Sequence, residues 1–228
     1  MKNKKLETKT VHIMTLFPES VAGYLSSSML KRAQTAGMLA VRTINPRDFA
    51  NDKHQTADDR PYGGGPGMVL KAPPFLKAVE SAFRGKGTIV LTTPSGKQFT
   101  NADAKKLSKA ESIIFIAGHY EGIDARVKKA LKKEYGASAI KEFSVGPYIL
   151  TGGELPALVM LDAIARQIPG VLGKGESLEE TRTASPETYT RPEVLEWKGK
   201  KYRVPKVLTK GNHKEIEKWR TKRVVRGK

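Results

Sequence analysis

From residue 11 to residue 168 the chain alternates short apolar runs, bounded by turn residues, with amphipathic stretches, and this alternation restricts the fold more than any other feature. The runs VHIMTLF (11–17), LAVRTI (39–44), TIVLTT (88–93), SIIFIA (112–117) and a stretch near 143–150 read as strands, while 18–36, 73–83, 100–110, 122–135 and 154–168 read as helices. Strand followed by helix, repeated, predicts an α/β fold with a parallel sheet covered by helices on both faces. Local chemistry supports the boundaries: Thr100 with Asp103 fits an N-cap pattern, Gly136 follows a helix ending in Lys132 and Lys133, and Pro156 occupies a first turn.

A chain of 228 residues is long enough to bury such a core without covalent staples. It has no cysteine, which excludes disulfides, thiolate nucleophiles and cysteine-based metal sites. The four histidines, at 12, 54, 119 and 213, have no ligand spacing, and no structural metal is expected. No apolar run approaches the roughly 20 residues that span a bilayer, and no leader-like segment opens the chain, so a cytoplasmic protein without membrane contact is expected.

Charge is unevenly placed. The formal net charge is +18, and residues 191–228 hold fourteen Lys and Arg against four Glu, a net +10. Trp197, Tyr202, Val204, Val207, Leu208, Ile216 and Trp219 are interleaved with these charges and can form a small core, with Asn212 and Glu215 starting a last helix. A folded basic module of this kind faces phosphate. The stretch 173–190 has almost no apolar side chains and reads as a linker.

Ligands of open parallel sheets bind beyond the carboxyl ends of strands, and three consecutive strands run into glycine-bearing loops: TTPSG (92–96), AGHYEG (117–122) and TGGEL (151–155). One glycine after a strand is ordinarily a plain turn; three in succession make a ligand pocket. GxGxxG and GxxxxGK[ST] are both absent, which removes support for a Rossmann dinucleotide site and a P-loop. The 45–72 segment, which contains GGGPG (63–67), is long for a structureless connection; a mobile surface excursion is the plain reading, and a functional loop is favoured because its glycines let backbone approach a partner closely. Helix 154–168 is nearly all apolar, so it is buried or packed on another subunit. Asp162 and Arg166 share a face of it; an ion pair is the ordinary reading, and presentation of Arg166 to an anionic substrate is the other.

TLFPE (15–19), NPRDF (45–49), DKHQTADDRPYGGGPGM (52–68), GHYEGIDARV (118–127), the run 144–173, YTRPEV (189–194) and GNHKEIEKWR (211–220) together resemble the bacterial tRNA (guanine-N1)-methyltransferases of the SPOUT superfamily. The resemblance spans about 11–223, in order. It implies methyl transfer from S-adenosylmethionine to N1 of the guanosine at tRNA position 37, a homodimer, and a deep trefoil knot over roughly 88–155. It also suggests Mg2+ as an accessory ion. The implied nucleic-acid partner is tRNA and not DNA.

Carried over position by position, the resemblance puts Pro94, Gly118, Tyr120, Glu121, Gly122, the run Val145, Gly146, Pro147, Tyr148, Ile149, Leu150, and Gly152 and Gly153 at the cofactor. A valine at Gly153 is expected to block the cofactor without unfolding the domain. Asp59, Arg60, Tyr62, Arg166, Asn212, His213 and Lys214 fall at substrate-binding positions. Arg166 would stabilise charge growing on guanine O6. Removal of the N1 proton falls to a linker aspartate in the family pattern. Here SLEETRT (177–183) has Thr181 at that position, so Glu180, ahead of Glu179, is the candidate carboxylate. His119, where arginine is an alternative in the family, and Pro147, where aspartate is common, are two smaller departures.

The expectation is a knotted cofactor domain over 1–172, a linker over 173–187 that orders above the active site, and a small basic helical tRNA-binding domain over 188–228. Two rivals are a catalytically impaired RNA-binding homologue and a SPOUT methyltransferase of another RNA. The three complete cofactor loops oppose the first; the GGGPG loop and the C-terminal domain oppose the second.

Overall fold

The computed structural model describes residues 8–172 and 187–224, with side chains to 219. The chain divides into two compact units, Met1–Gly173 and Lys174–Lys228.

In the first unit the elements run β1 (Lys9–Met14), α1 (Pro18–Leu25), α2 (Ser28–Thr35), β2 (Leu39–Ile44), β3 (Asp58–Asp59), β4 (Val69–Leu70), α3 (Ala72–Ala82), β5 (Thr88–Gln98), α4 (Asn101–Leu107), β6 (Ser112–Ala117), α5 (Ala125–Tyr135), β7 (Ile140–Ser144) and α6 (Glu154–Arg166). Five strands form one sheet in the order β2-β1-β6-β5-β7, and every pairing in it is parallel. Alternate residues of the strands feed two cores. Val11, Ile13, Val90, Ile113 and Phe115 pack against α1, α2, α4 and α6. Met14, Ile89, Leu91, Ile114 and Ile116 pack against α3 and α5 on the other face. Central strands buried on both sides read as continuous apolar runs, which is why SIIFIA is so legible.

Three sequence boundaries need correction. The stretch 18–36 is two helices and not one: the hydroxyls of Ser26 and Ser27 bond back to the carbonyls of Gly23 (3.2 Å) and Tyr24 (3.0 Å), and Ser28 has φ +45°. Serine side chains that capture backbone carbonyls compete with helix continuation. The last strand is 140–144 and not 143–150; beyond Ser144 the chain turns out of the sheet. The long segment is also not wholly irregular, because Asp58 and Asp59 pair antiparallel with Leu70 and Val69, closing it at its base. In β5 the register slips between Thr92 and Lys97, so residues 93–96 bulge from the sheet.

The sequence predicts a helical second unit, yet a hairpin, β8 (Val194–Trp197) and β9 (Lys200–Arg203), precedes α7 (Lys206–Thr209) and α8 (His213–Val224). Lys198 and Gly199 turn it with φ +49° and +72°, the positive pair that a two-residue hairpin turn requires. Val204, Val207, Leu208, Ile216 and Trp219 are half-buried, and no described residue of this unit is fully buried. Trp197 is 62% exposed and Tyr202 52%, so these two lie outside the expected small core.

Candidate active site

Where β5, β6 and β7 end, their loops close around a cavity of about 460 Å³. That size lies within the ~300–1,000 Å³ of small-molecule sites. The loops are held against each other by backbone bonds. Gly153 N donates to Gly118 O at 2.7 Å, and His119 pairs with Gly152 in an isolated antiparallel bridge. A Cβ at Gly153 would lie 2.8 Å from both Ala117 Cα and Gly118 N, and it would also collide with Thr92 Oγ1. Glycine is therefore required here for the approach of α6's first turn to β6. Tyr120 takes the left-handed conformation (φ +57°), and Gly122 N donates to His119 O at 3.0 Å to complete the turn.

The third wall follows β7. Ser144 Oγ donates to Gly146 O (2.9 Å) and accepts from Gly146 N (3.2 Å), turning the chain outward. The Tyr148 ring then lies over Gly146, where a Cβ would overlap it, and Tyr148 Oη donates to Val145 O at 3.3 Å. This leaves Tyr148 55%, Ile149 80% and Leu150 37% exposed along the cavity. Apolar side chains held in the open at a cavity wall fit a planar, partly apolar ligand.

Eleven of the thirteen expected cofactor positions line this one cavity: Pro94, Gly118, Tyr120, Glu121, Gly122, Val145, Tyr148, Ile149, Leu150, Gly152 and Gly153. Gly146 lies behind the Tyr148 ring and Pro147 points to solvent, so neither is on the lining. Asp59 ends β3, and Arg60 and Tyr62 lie on the segment between β3 and β4; Asp59 pairs with Lys71 at 3.6 Å, and Tyr62 is 98% exposed. Asn212, His213 and Lys214 belong to the second unit, where Asn212 Oδ1 caps α8 by accepting from Glu215 N at 3.4 Å. Glu179, Glu180 and Thr181 lie outside the described residues. Arg166 is half-buried in the last turn of α6, at the end remote from the cavity. With about 1.5 Å of rise per residue, roughly 18 Å of helix separates it from Glu154.

The pattern of the family described as tRNA (Guanine-1)-methyltransferase TrmD matches residues 9–227. The chain belongs to the TrmD family. Among curated TrmD relatives, the tRNA (guanine-N(1)-)-methyltransferase of Carboxydothermus hydrogenoformans is 46% identical over 216 residues, covering 93% of this chain and 81% of that protein. The corresponding proteins of Pelotomaculum thermopropionicum and Staphylococcus epidermidis are 47% and 46% identical, each over 92% of this chain and over 82% and 83% of their own lengths. The TrmD family uses S-adenosylmethionine, and the glycine-tight loops and apolar sleeve of this cavity suit its adenosyl moiety.

Several groups at this cavity have no distinguishing mark in the sequence. Thr92 and Asp124 line the cavity, as do Lys128 and Glu142, which pair at 3.0 Å. Asp124 also caps α5, and its carboxyl is held below the usual range chiefly by the Arg126 side chain bonding to it, against the opposing effect of burial. Behind the lining, buried Glu154 accepts from Thr15 and lies 3.7 Å from His119 Nδ1. A strand-end threonine and a helix-start glutamate are common enough that only their meeting in space reveals them. Among the described residues no group of three His, Asp or Glu side chains converges on a point.

Proposed function

We propose that this protein transfers a methyl group from S-adenosylmethionine to N1 of a guanosine in tRNA, at position 37 beside the anticodon. The observation that carries the reading is the convergence of three strand-end loops on one cavity lined by eleven of the positions that the resemblance gives to the cofactor. Trefoil threading of 88–155 belongs to the same reading.

When bound, S-adenosylmethionine supplies an activated methyl group on a sulfonium. The protein's part is to align N1 with that methyl and to take the N1 proton. Backbone groups of 145–150 and the side chains of Tyr148, Ile149 and Leu150 hold the adenine and exclude water. Glu180 of the linker receives the proton, and Arg166 stabilises negative charge on guanine O6.

Arg166 cannot perform that task in the cavity of its own chain if α6 keeps roughly 18 Å between its ends. Leu155 and Val159, 59% and 55% exposed, leave an apolar stripe along α6 on the turns that precede Arg166. A homodimer that buries this stripe and completes each site with the partner's arginine accounts for both facts. The basic 188–228 region, with Asn212, His213 and Lys214, grips tRNA phosphates, while 1–172 carries the chemistry.

Primer-extension mapping of a tRNA transcript bearing guanosine at position 37 tests the reading. A methyl-dependent stop at that base is expected. Methylation at another position, or in a different RNA only, would reject the assignment.

A further inference from the structure

We propose that Gly67 is a positioning residue: it seats the side chain of Glu121 on the cavity wall, so that the loop carrying Asp59, Arg60 and Tyr62 sets the geometry of the cavity. The inference rests on reading the cavity as the cofactor site.

The two segments are joined along their backbones. Glu121 N donates to Met68 O (3.1 Å), Leu70 N to Gly122 O (2.9 Å) and Asp124 N to Leu70 O (3.0 Å), with a parallel bridge between Leu70 and Ile123. Three backbone bonds between segments far apart in the chain make them one body. At the end of the glycine run, Gly67 has φ +78°, and a Cβ built on it would lie 2.5 Å from Glu121 Oε1 and 2.7 Å from Cγ. The Glu121 side chain therefore lies across the bare Cα of Gly67, and Glu121 is itself one of the residues that line the cavity.

The other glycines of the run differ in this respect. Gly63, Gly64 and Gly65 also have positive φ, at +88°, +79° and +115°, but a Cβ on any of them would meet no atom within 4 Å. They shape an exposed turn, and Gly67 is a seat. The atoms a Gly67 side chain would strike belong to a movable glutamate and not to backbone, so substitution displaces Glu121 before it breaks the loop.

Gly64 supplies the control, because its φ of +79° nearly equals the +78° of Gly67, and alanine brings the same backbone strain without the contact. Binding of S-adenosylhomocysteine to the full-length chain is measured by calorimetry for Gly67→Ala, Gly64→Ala, Glu121→Ala and Gly67→Ala/Glu121→Ala. Gly67→Ala is expected to weaken binding at least about tenfold, within the usual range of roughly 5–150-fold for coupled sites. Gly64→Ala should leave it within about twofold, and Glu121→Ala should add little further loss on the Gly67→Ala background, the non-additivity of groups in contact. In turnover, kcat should fall for Gly67→Ala at saturating cofactor, which a purely structural weakening would not require. A Gly67→Ala chain that folds only when Glu121→Ala is added supports the same contact. Equal losses for Gly67→Ala and Gly64→Ala, additive losses with Glu121→Ala, or failure of both Gly67 variants to fold would overturn the proposal. Wild-type protein that binds no S-adenosylhomocysteine would instead defeat the cofactor reading itself.

Discussion

Thr15 Oγ1 donates to Glu154 Oε1 at 2.6 Å, and this one bond ties the end of β1 to the start of α6, 139 residues later. Glu154 is 7% exposed and Thr15 fully buried. The second carboxylate oxygen faces His119 Nδ1 at 3.7 Å, and the His119 ring packs against those of Phe17 (centroids 4.6 Å apart) and Tyr120 (4.7 Å). The same hydroxyl accepts from Phe17 N at 2.9 Å. One buried carboxylate thus braces β1 and two of the three cavity loops from behind.

Glu154→Ala should therefore cost about 1–3 kcal/mol, the usual penalty for stranding buried polar partners. Glu154→Gln keeps the acceptor for Thr15 and should cost less. Urea unfolding of the three proteins checks the order; a wild-type midpoint for Glu154→Ala would show the brace to be idle.

From sequence, valine at 153 is expected to block the cofactor in an otherwise intact domain. The geometry redirects that expectation, since the new Cβ alone would strike Thr92 Oγ1 and the backbone of Ala117 and Gly118. Gly153→Val should lower stability and cofactor affinity together, by separating α6 from β6. A folded variant with an unchanged melting temperature but no cofactor binding would restore the simpler steric account.

Most of the sheet is readable because its strands are buried on both faces: SIIFIA (112–117) coincides with β6 residue for residue. The cavity is readable because glycine is required where loops pass within touching distance, at Gly153 above all. The run VGPYIL misleads because its apolar residues suggest a strand. They line a cavity instead, and Gly146 with the Tyr148 ring carries the chain off the sheet. The Lys198–Gly199 turn escapes a sequence reading because lysine at positive φ has no strong signal. The Thr15–Glu154 bond is equally hidden, since nothing local marks two ordinary residues 139 apart as partners.

His12 links stability to pH. Burial, then the nearby Arg42 and Arg84, hold its imidazole below the ordinary 6.5, and its Nδ1 is buried without a hydrogen-bond partner. The unfolded chain therefore takes up a proton that the folded chain resists. This contribution to stability is complete above about pH 6.5 and is lost as pH falls through the lower folded value. Melting temperature should drop on acidification from about pH 7 to about pH 5, across the ordinary histidine range, and His12→Gln should flatten that drop. An unaltered pH slope in His12→Gln would assign the loss to other groups.

Deleting residues 188–228 removes fourteen of the forty-one Lys and Arg. If these neutralise phosphates, the truncated chain should bind S-adenosylhomocysteine normally and tRNA weakly. The fall of log affinity with log salt should also become shallower, by about 0.7–0.9 for each phosphate that is no longer neutralised. A salt slope equal to that of the full chain would place the tRNA grip elsewhere.

The proton on guanine N1 must leave as the methyl arrives, and a well-placed carboxylate typically contributes about 10²–10⁴-fold to such a step. The linker has no aspartate: its acids are Glu176, Glu179, Glu180 and Glu187, with Thr181 directly after the central pair. Threonine cannot accept a proton near neutral pH, so the proposed mechanism gives the task to an adjacent glutamate, and Glu180 is its candidate because it is next to the aligned position. Its extra methylene relative to aspartate is a small displacement for a linker segment to absorb. Single-turnover methylation at saturating cofactor and tRNA separates the possibilities. A loss of about 10²-fold or more in Glu180→Gln, with Glu179→Gln near wild type, is the expected result. Wild-type rates in both glutamine variants would remove the linker carboxylate from the mechanism. A faster Thr181→Asp enzyme would show that the native chain works with a suboptimally placed base.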